Sequence, residues 1–235
     1  MAQVIIALDV PTLDEAMGLV DALEEETDFY KVGLELFTRE GPSVVNALRG
    51  RDKRIFLDLK LHDIPNTVAR AVARARDLEV DLLTLHATGG RPMMEAAAEA
   101  AGDDLMLLGV TVLTSMTASD VKDSWGRAVD SLEEEVVRLA RLVQESGIGG
   151  VVASVREAAP IREAVGADLV VVTPGIRLAG DDAHDQARVS TPAEAVAAGV
   201  DYLVIGRSVT QAPDPAEALR RVYEEAAGPS AVGTA

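Results

Sequence analysis

The segment FLDLKLHDIPNT at residues 56–67 sets Asp58, Lys60 and Asp63 inside a run of leucines. An ordinary buried strand excludes such groups, because taking an ion out of water costs on the order of several kcal/mol even after the protein relaxes. A lysine flanked by carboxylates has a use, however. The anions favour its protonated form, and a fixed ammonium can stabilise developing negative charge and then deliver a proton.

Similar ions recur at the ends of the preceding apolar runs, Asp9 in IALDV and Lys31 in YKVG. Side chains alternate faces along a strand, so Phe56, Asp58 and Lys60 share one face and Leu57, Leu59 and Leu61 the other. By the same parity Ala7 and Asp9 oppose Ile6, Leu8 and Val10, while Phe29, Lys31 and Gly33 oppose Tyr30, Val32 and Leu34. An ordered set results: Asp9, Lys31, Asp58 and Lys60, with Asp63 just beyond the third run. A self-satisfied salt bridge would explain one inward pair. Alternating charges on three consecutive strand ends favour function, since apolar residues would stabilise those positions better.

A second group lies near the end of the chain, in TPGIR at 173–177 and IGRS at 205–208. Each places a glycine and an arginine after an apolar run. Glycine admits an anion to backbone N–H groups, and arginine offers a two-pronged donor to its oxygens. Each motif is weak alone; together they indicate a phosphorylated ligand.

These groups need a scaffold that brings strand ends together. Apolar, β-branched runs at residues 4–10, 29–36, 54–61, 80–87, 104–113, 149–154, 168–174 and 200–207 alternate with amphipathic helical patterns. The helical patterns include 13–25, 67–78, 92–101, 132–144, 157–165, 191–198 and 215–227. Eight β units, each followed by a helix, predict a closed (β/α)8 TIM barrel, whose chemistry sits at the C-terminal ends of its strands. An open doubly wound sheet would carry a glycine-rich turn after its first strand, whereas this one reads LDVPTLDEA. We expect one domain over residues 1–228, a disordered tail at 229–235 and a functional loop at 175–190.

Composition narrows the partners. A net charge of −17 repels nucleic acid and anionic membranes, so neither is expected to bind. Only four of the 22 basic residues are lysines, at positions 31, 53, 60 and 122, which makes Lys31 and Lys60 conspicuous. With no cysteine there is no disulfide or thiolate metal site. The first apolar run is broken by Asp9, lacks a basic flank and has no cleavage site, and no run reaches a membrane span's length. A cytoplasmic protein is expected.

The run DLKLHDIPNT, with Asp9, YKVG, LTS at 113–115, PGIR at 174–177, Gln186 and IGRS, resembles the bacterial orotidine 5'-phosphate decarboxylases over essentially the whole chain. The resemblance implies cofactor-free and metal-free conversion of orotidine 5'-monophosphate (OMP) to UMP and CO2, with Lys60 as proton donor in an array with Lys31, Asp58 and Asp63. It implies that Asp9 and Lys31 bind ribose hydroxyls, and that Asp63, Ile64 and Thr67 reach the partner's site across a homodimer. Thr114 and Ser115 would contact the pyrimidine. Pro174 belongs to the substrate-binding set, Gln186 would close over phosphate and base, and Arg177, Gly206 and Arg207 would hold the phosphate.

Sugar-phosphate synthases that use magnesium share the D-x-K-x-x-D pattern but are expected to carry an acidic metal ligand where this chain has Lys31. Of the histidines, His86 is expected to be an inward, hydrogen-bonded structural residue, and His62 to face away from the charges. His184 falls in the loop, so the three give no metal spacing. Trp125 is a candidate for the dimer contact.

Overall fold

The computed structural model describes residues 2–129, 131–178 and 190–228. Eight parallel strands form a closed barrel in sequence order: β1 (Gln3–Ala7), β2 (Phe29–Val32), β3 (Arg54–Leu61), β4 (Leu82–His86), β5 (Met106–Val110), β6 (Gly150–Val152), β7 (Val170–Ile176) and β8 (Tyr202–Ile205). β8 closes on β1 through Gln3–Tyr202 to Ile6–Ile205. This is the (β/α)8 TIM barrel expected from the alternation of runs.

Strand parity divides the core into two. Ile5, Ala7, Phe29, Phe56, Leu82, Leu108, Val172 and Val204 fill the inside of the barrel. Their neighbours Val4, Ile6, Tyr30, Ile55, Leu57, Leu83 and Leu203 face outward under the helices. Burying each such aliphatic or aromatic side chain contributes roughly 1.5–3 kcal/mol, so both faces of every strand hold it in place. Helices approach closely where the strand permits it: a Cβ on Gly109 of β5 would lie 2.4 Å from Val143 on the helix Leu132–Glu145.

Local signals set the helix starts. Thr12 caps Leu13–Ala22 by accepting the Glu15 N–H, and Ser131 does the same for Leu132–Glu145 through Glu134. Pro65 opens the helix Pro65–Asp77 two residues earlier than periodicity alone suggests, because proline suits the first helical position.

Three expectations need correction. β1 ends at Ala7, which leaves Asp9 in the connection beyond it. β2 ends at Val32, and Leu34–Glu40 is a helix rather than the end of the strand. Gly33 caps that helix, and LELFTRE is composed mainly of helix formers. Strict alternation also fails in β3. Pairing with β4 runs Phe56–Leu82 and Leu57–Leu83, then resumes at Leu61–Leu85, and Lys60 takes a left-handed backbone with φ of 51°.

Candidate active site

The barrel mouth holds a cavity of about 650 Å³. β1, β2 and β3 supply its charged wall. Lys31 Nζ, nearly buried, lies 2.7 Å from Asp9 Oδ1 and 3.9 Å from Asp58 Oδ2. Lys60 Nζ donates to both Asp58 oxygens at 2.8 Å. The four residues therefore form a continuous series of alternating sign, in the order Asp9, Lys31, Asp58, Lys60, as the spacing predicted.

Local backbone makes the series possible. A Cβ on Gly33 would sit 3.0 Å from Lys31 Nζ and 3.1 Å from Asp9 Oδ1, so glycine leaves room for that pair. At β3 the bulge and the left-handed Lys60 bring Asp58 and Lys60 together. Bulges of this kind re-aim side chains next to functional sites.

The opposite wall is built alike. β7 is four strands from β3 around the ring, and its pairing with β8 also slips, between Thr173–Leu203 and Ile176–Ile205. Pro174, which has no N–H to pair, and Gly175, with φ of 79°, occupy the slip. Beyond it Arg177 is 7% exposed, and its Nε has no hydrogen-bond partner among the described residues. A buried guanidinium donor left open toward a cavity is suited to an anion. Gly206 and Arg207, after β8, line the same wall. Between the two walls the floor is apolar, made by Phe56, Val110, Val152, Val172 and Val204.

Not every expected residue joins the cavity. Thr114 lines it, whereas Ser115 is exposed and does not. Asp63, Ile64 and Thr67 stand on the outer rim, exposed, with Ile64 at 67%. Asp63 accepts the N–H of Ile64 at 2.6 Å, and among the described residues it makes no ion pair with Lys60. Gln186 and His184 lie outside the described residues, as do most of the loop and the tail.

His86 points inward on β4, as expected, but its ring makes no hydrogen bond among the described residues; it packs 5.5 Å from the His62 ring. His62 itself is exposed and does not line the cavity, in keeping with its expected direction away from the charges. Burial holds His86 below the ordinary histidine value, and the neighbouring His62 and Lys60 push it further down against the pull of Asp58. Trp125 is half-buried against the outer core, beneath the Arg127 guanidinium.

Sequence reasoning missed Thr84, Glu35 and Gln211. Glu35 and Gln211 line the cavity from helix starts and ends. Thr84 is fully buried, and its only signal was a hydroxyl at an inward position in the apolar run LLTLH. Among the described residues no group of three or more His, Asp or Glu is arranged to hold a metal ion, and no helix is long and apolar enough to cross a membrane.

A parallel barrel with an alternating charge array on one wall of its mouth and arginines on the other has the form of a barrel enzyme's site, with a wall suited to an anion. Residues 2–222 match the orotidine 5'-phosphate decarboxylase / HUMPS family, and the chain belongs to it. It is 51% identical to the orotidine 5'-phosphate decarboxylase of Chromohalobacter salexigens, with 96% of each chain covered. With the enzyme of that name from Moorella thermoacetica it shares 47% identity, over 95% of this chain and 91% of the relative. The crystal structure of orotidine 5'-phosphate decarboxylase from Lactobacillus acidophilus superposes with a TM-score of 0.82 at 35% identity, covering 96% of this chain and 99% of that one. The protein is accordingly an enzyme of the carboxy-lyase class.

Proposed function

We propose that the protein converts OMP to UMP and CO2 without a cofactor, as a homodimer in the cytoplasm. One observation carries the reading: the Lys60 ammonium is held on both oxygens of Asp58, in a cavity whose far wall carries Arg177 and Arg207.

The chemistry explains the need for such an array. Loss of CO2 from C6 of the orotate ring leaves an electron pair in the ring plane, orthogonal to the π system, so resonance does not spread it. The protein must supply the stabilisation. Lys60 offers Coulombic attraction as charge develops, then the proton that captures it. Asp58 holds and directs the amine through both carboxylate oxygens, and Lys31 with Asp9 is suited to ribose hydroxyls.

Asp58 also stands where the departing carboxylate would meet it. Two unit charges about 4 Å apart repel by about 4 kcal/mol at an effective dielectric near 20. That repulsion is relieved as CO2 leaves. Enzymes lower barriers by roughly 8–23 kcal/mol, so preorganised charge and phosphate binding energy must supply the rest.

Arg177, Gly206 and Arg207 take the phosphate, Gln186 closes over phosphate and base, Thr114 meets the pyrimidine with Pro174 beside the substrate, and Ser115, outside the cavity in this structure, must turn inward to join Thr114. Asp63, Ile64 and Thr67 complete the partner's site. Their exposure on the rim, with a large apolar side chain among them, supports this assignment. Lys31 repels a divalent cation from the position where the magnesium-dependent synthases are expected to have an acid.

Mixing the protein with OMP and following the loss of orotate absorbance and the appearance of UMP tests the reading. Turnover unaffected by EDTA is expected. An intact OMP spectrum, or turnover abolished by the chelator and restored by magnesium, would overturn it.

A further inference from the structure

The bulge in β3 leaves a break in the β3–β4 ladder that a single side chain occupies. Because pairing jumps from Leu57–Leu83 to Leu61–Leu85, Asp58, Leu59 and Lys60 all stand opposite Thr84. The Thr84 hydroxyl accepts the backbone N–H of Lys60 at 2.8 Å and lies 2.9 Å from Asp58 Oδ1. The direction of both bonds is determined. A backbone N–H only donates and an ionised carboxylate only accepts, so the hydroxyl proton goes to Asp58.

We propose that Thr84 is a positioning residue for the decarboxylation: its hydroxyl ties the Asp58 carboxylate to the left-handed Lys60 backbone, so that the ammonium sits on both carboxylate oxygens. The inference rests on the proposed function and adds to it a residue that touches no substrate. The left-handed conformation of Lys60 is strained for a residue with a side chain and persists only where its surroundings hold it. Thr84 is 0% exposed and replaces the strand partner that the bulge removes. His86, the next inward residue on β4, makes no hydrogen bond to Asp58 or Lys60 among the described residues, so β4 holds the pair through Thr84.

Valine matches threonine in shape but lacks the hydroxyl. In Thr84→Val, Asp58 loses a donor and the Lys60 N–H loses its acceptor inside the barrel. Both are then free to shift, and misplacing a reacting group by about 1 Å can lower turnover about 10²-fold.

Steady-state kinetics on OMP with wild type, Thr84→Val and Thr84→Ser tests this. For Thr84→Val we expect kcat to fall more than about tenfold while KM changes less than about threefold, and Thr84→Ser to recover most of the loss. If Thr84→Val does not fold, Thr84→Ala replaces it with the same expectations. Combined with Asp58→Asn, the valine change should add almost nothing, because both act on one carboxylate. A valine variant with full kcat, a serine variant as impaired as the valine one, or fully additive losses would overturn the proposal. Wild-type protein run alongside separates the two claims: an inactive wild type defeats the decarboxylase reading and this proposal with it, whereas an active wild type matched by Thr84→Val defeats the positioning role alone.

Discussion

Lys60 Nζ donates to both carboxylate oxygens of Asp58, 2.8 Å from each, although the two residues are only two apart on one strand. The bulge and the left-handed backbone at Lys60 make this possible, and they leave the ammonium with a defined direction at the cavity edge.

Removing that ammonium should therefore abolish chemistry and spare binding. Lys60→Ala is expected to lose at least about 10²–10⁴-fold in kcat while still binding UMP in a calorimetric titration. Retained turnover would remove the central assignment.

The rim residues make the dimer testable by mixing. Lys60→Ala and Asp63→Ala should each be nearly inactive alone. If Asp63 serves the partner's site, half of randomly re-paired dimers carry one intact site, so roughly a quarter of wild-type activity should return. A mixture no more active than its components would place Asp63 outside catalysis or within its own subunit's site.

Arg207 is assigned to the phosphate, and the phosphate is what should report its loss. A charge-assisted hydrogen bond contributes about 1.5–3 kcal/mol, so Arg207→Ala should lower kcat/KM for OMP about ten- to a hundredfold. Its melting temperature should barely move. Orotidine, which lacks the phosphate, should be decarboxylated equally by both proteins; an equal loss on both substrates would contradict the assignment.

Gly33 leaves space for the Lys31–Asp9 pair, with backbone angles that any residue can adopt (φ −94°, ψ −177°). In Gly33→Ala the new Cβ would meet Lys31 Nζ at 3.0 Å and Asp9 Oδ1 at 3.1 Å, pushing apart the groups assigned to the ribose. A rise in KM of more than about threefold with an unchanged melting temperature is expected. An unchanged KM would show that the pair adapts without consequence.

His86 gives a stability prediction with a definite sign. Burial, His62 and Lys60 hold its value below 6.5, while Asp58 pulls the other way. Well above pH 6.5 the ring is neutral folded or unfolded and contributes no pH slope. As pH falls below that value the unfolded chain takes up a proton that the folded one resists, so stability declines on the acid side. His86→Asn should remove part of that decline, seen as a smaller drop in melting temperature between pH 7 and pH 5. An identical drop in both proteins would refute it.

Where alternation governs, the site could be read directly from the chain. Lys31 and Asp58 fall at inward positions of apolar runs, and the order of those runs around a parallel barrel makes them neighbours; Lys60 reaches the same wall, but through the bulge and not by alternation. Arg177, Gly206 and Arg207 follow from lying just past their strands, whereas Asp9, expected on its strand, lies in the connection beyond it. Legibility ended where the backbone leaves the regular strand. The placing of three β3 residues opposite Thr84 depends on the bulge, which no local pattern in FLDLKLH announces. The helix at Leu34–Glu40 was hidden because an apolar run continuing from YKVG reads equally well as strand.

Which residue types reach the mouth, and with what alternation of charge, is legible in the chain alone, because a period of two and a β/α repeat leave little freedom in where a strand end points. Distances came from the assembled barrel: one carboxylate carries Lys60 and approaches Lys31, Thr84 replaces a missing ladder partner, and Asp63 makes no ion pair with Lys60 among the described residues. Those outcomes arise from pairing between strands distant in sequence, where a register slip is settled by packing against the neighbour and not by the strand's own residues.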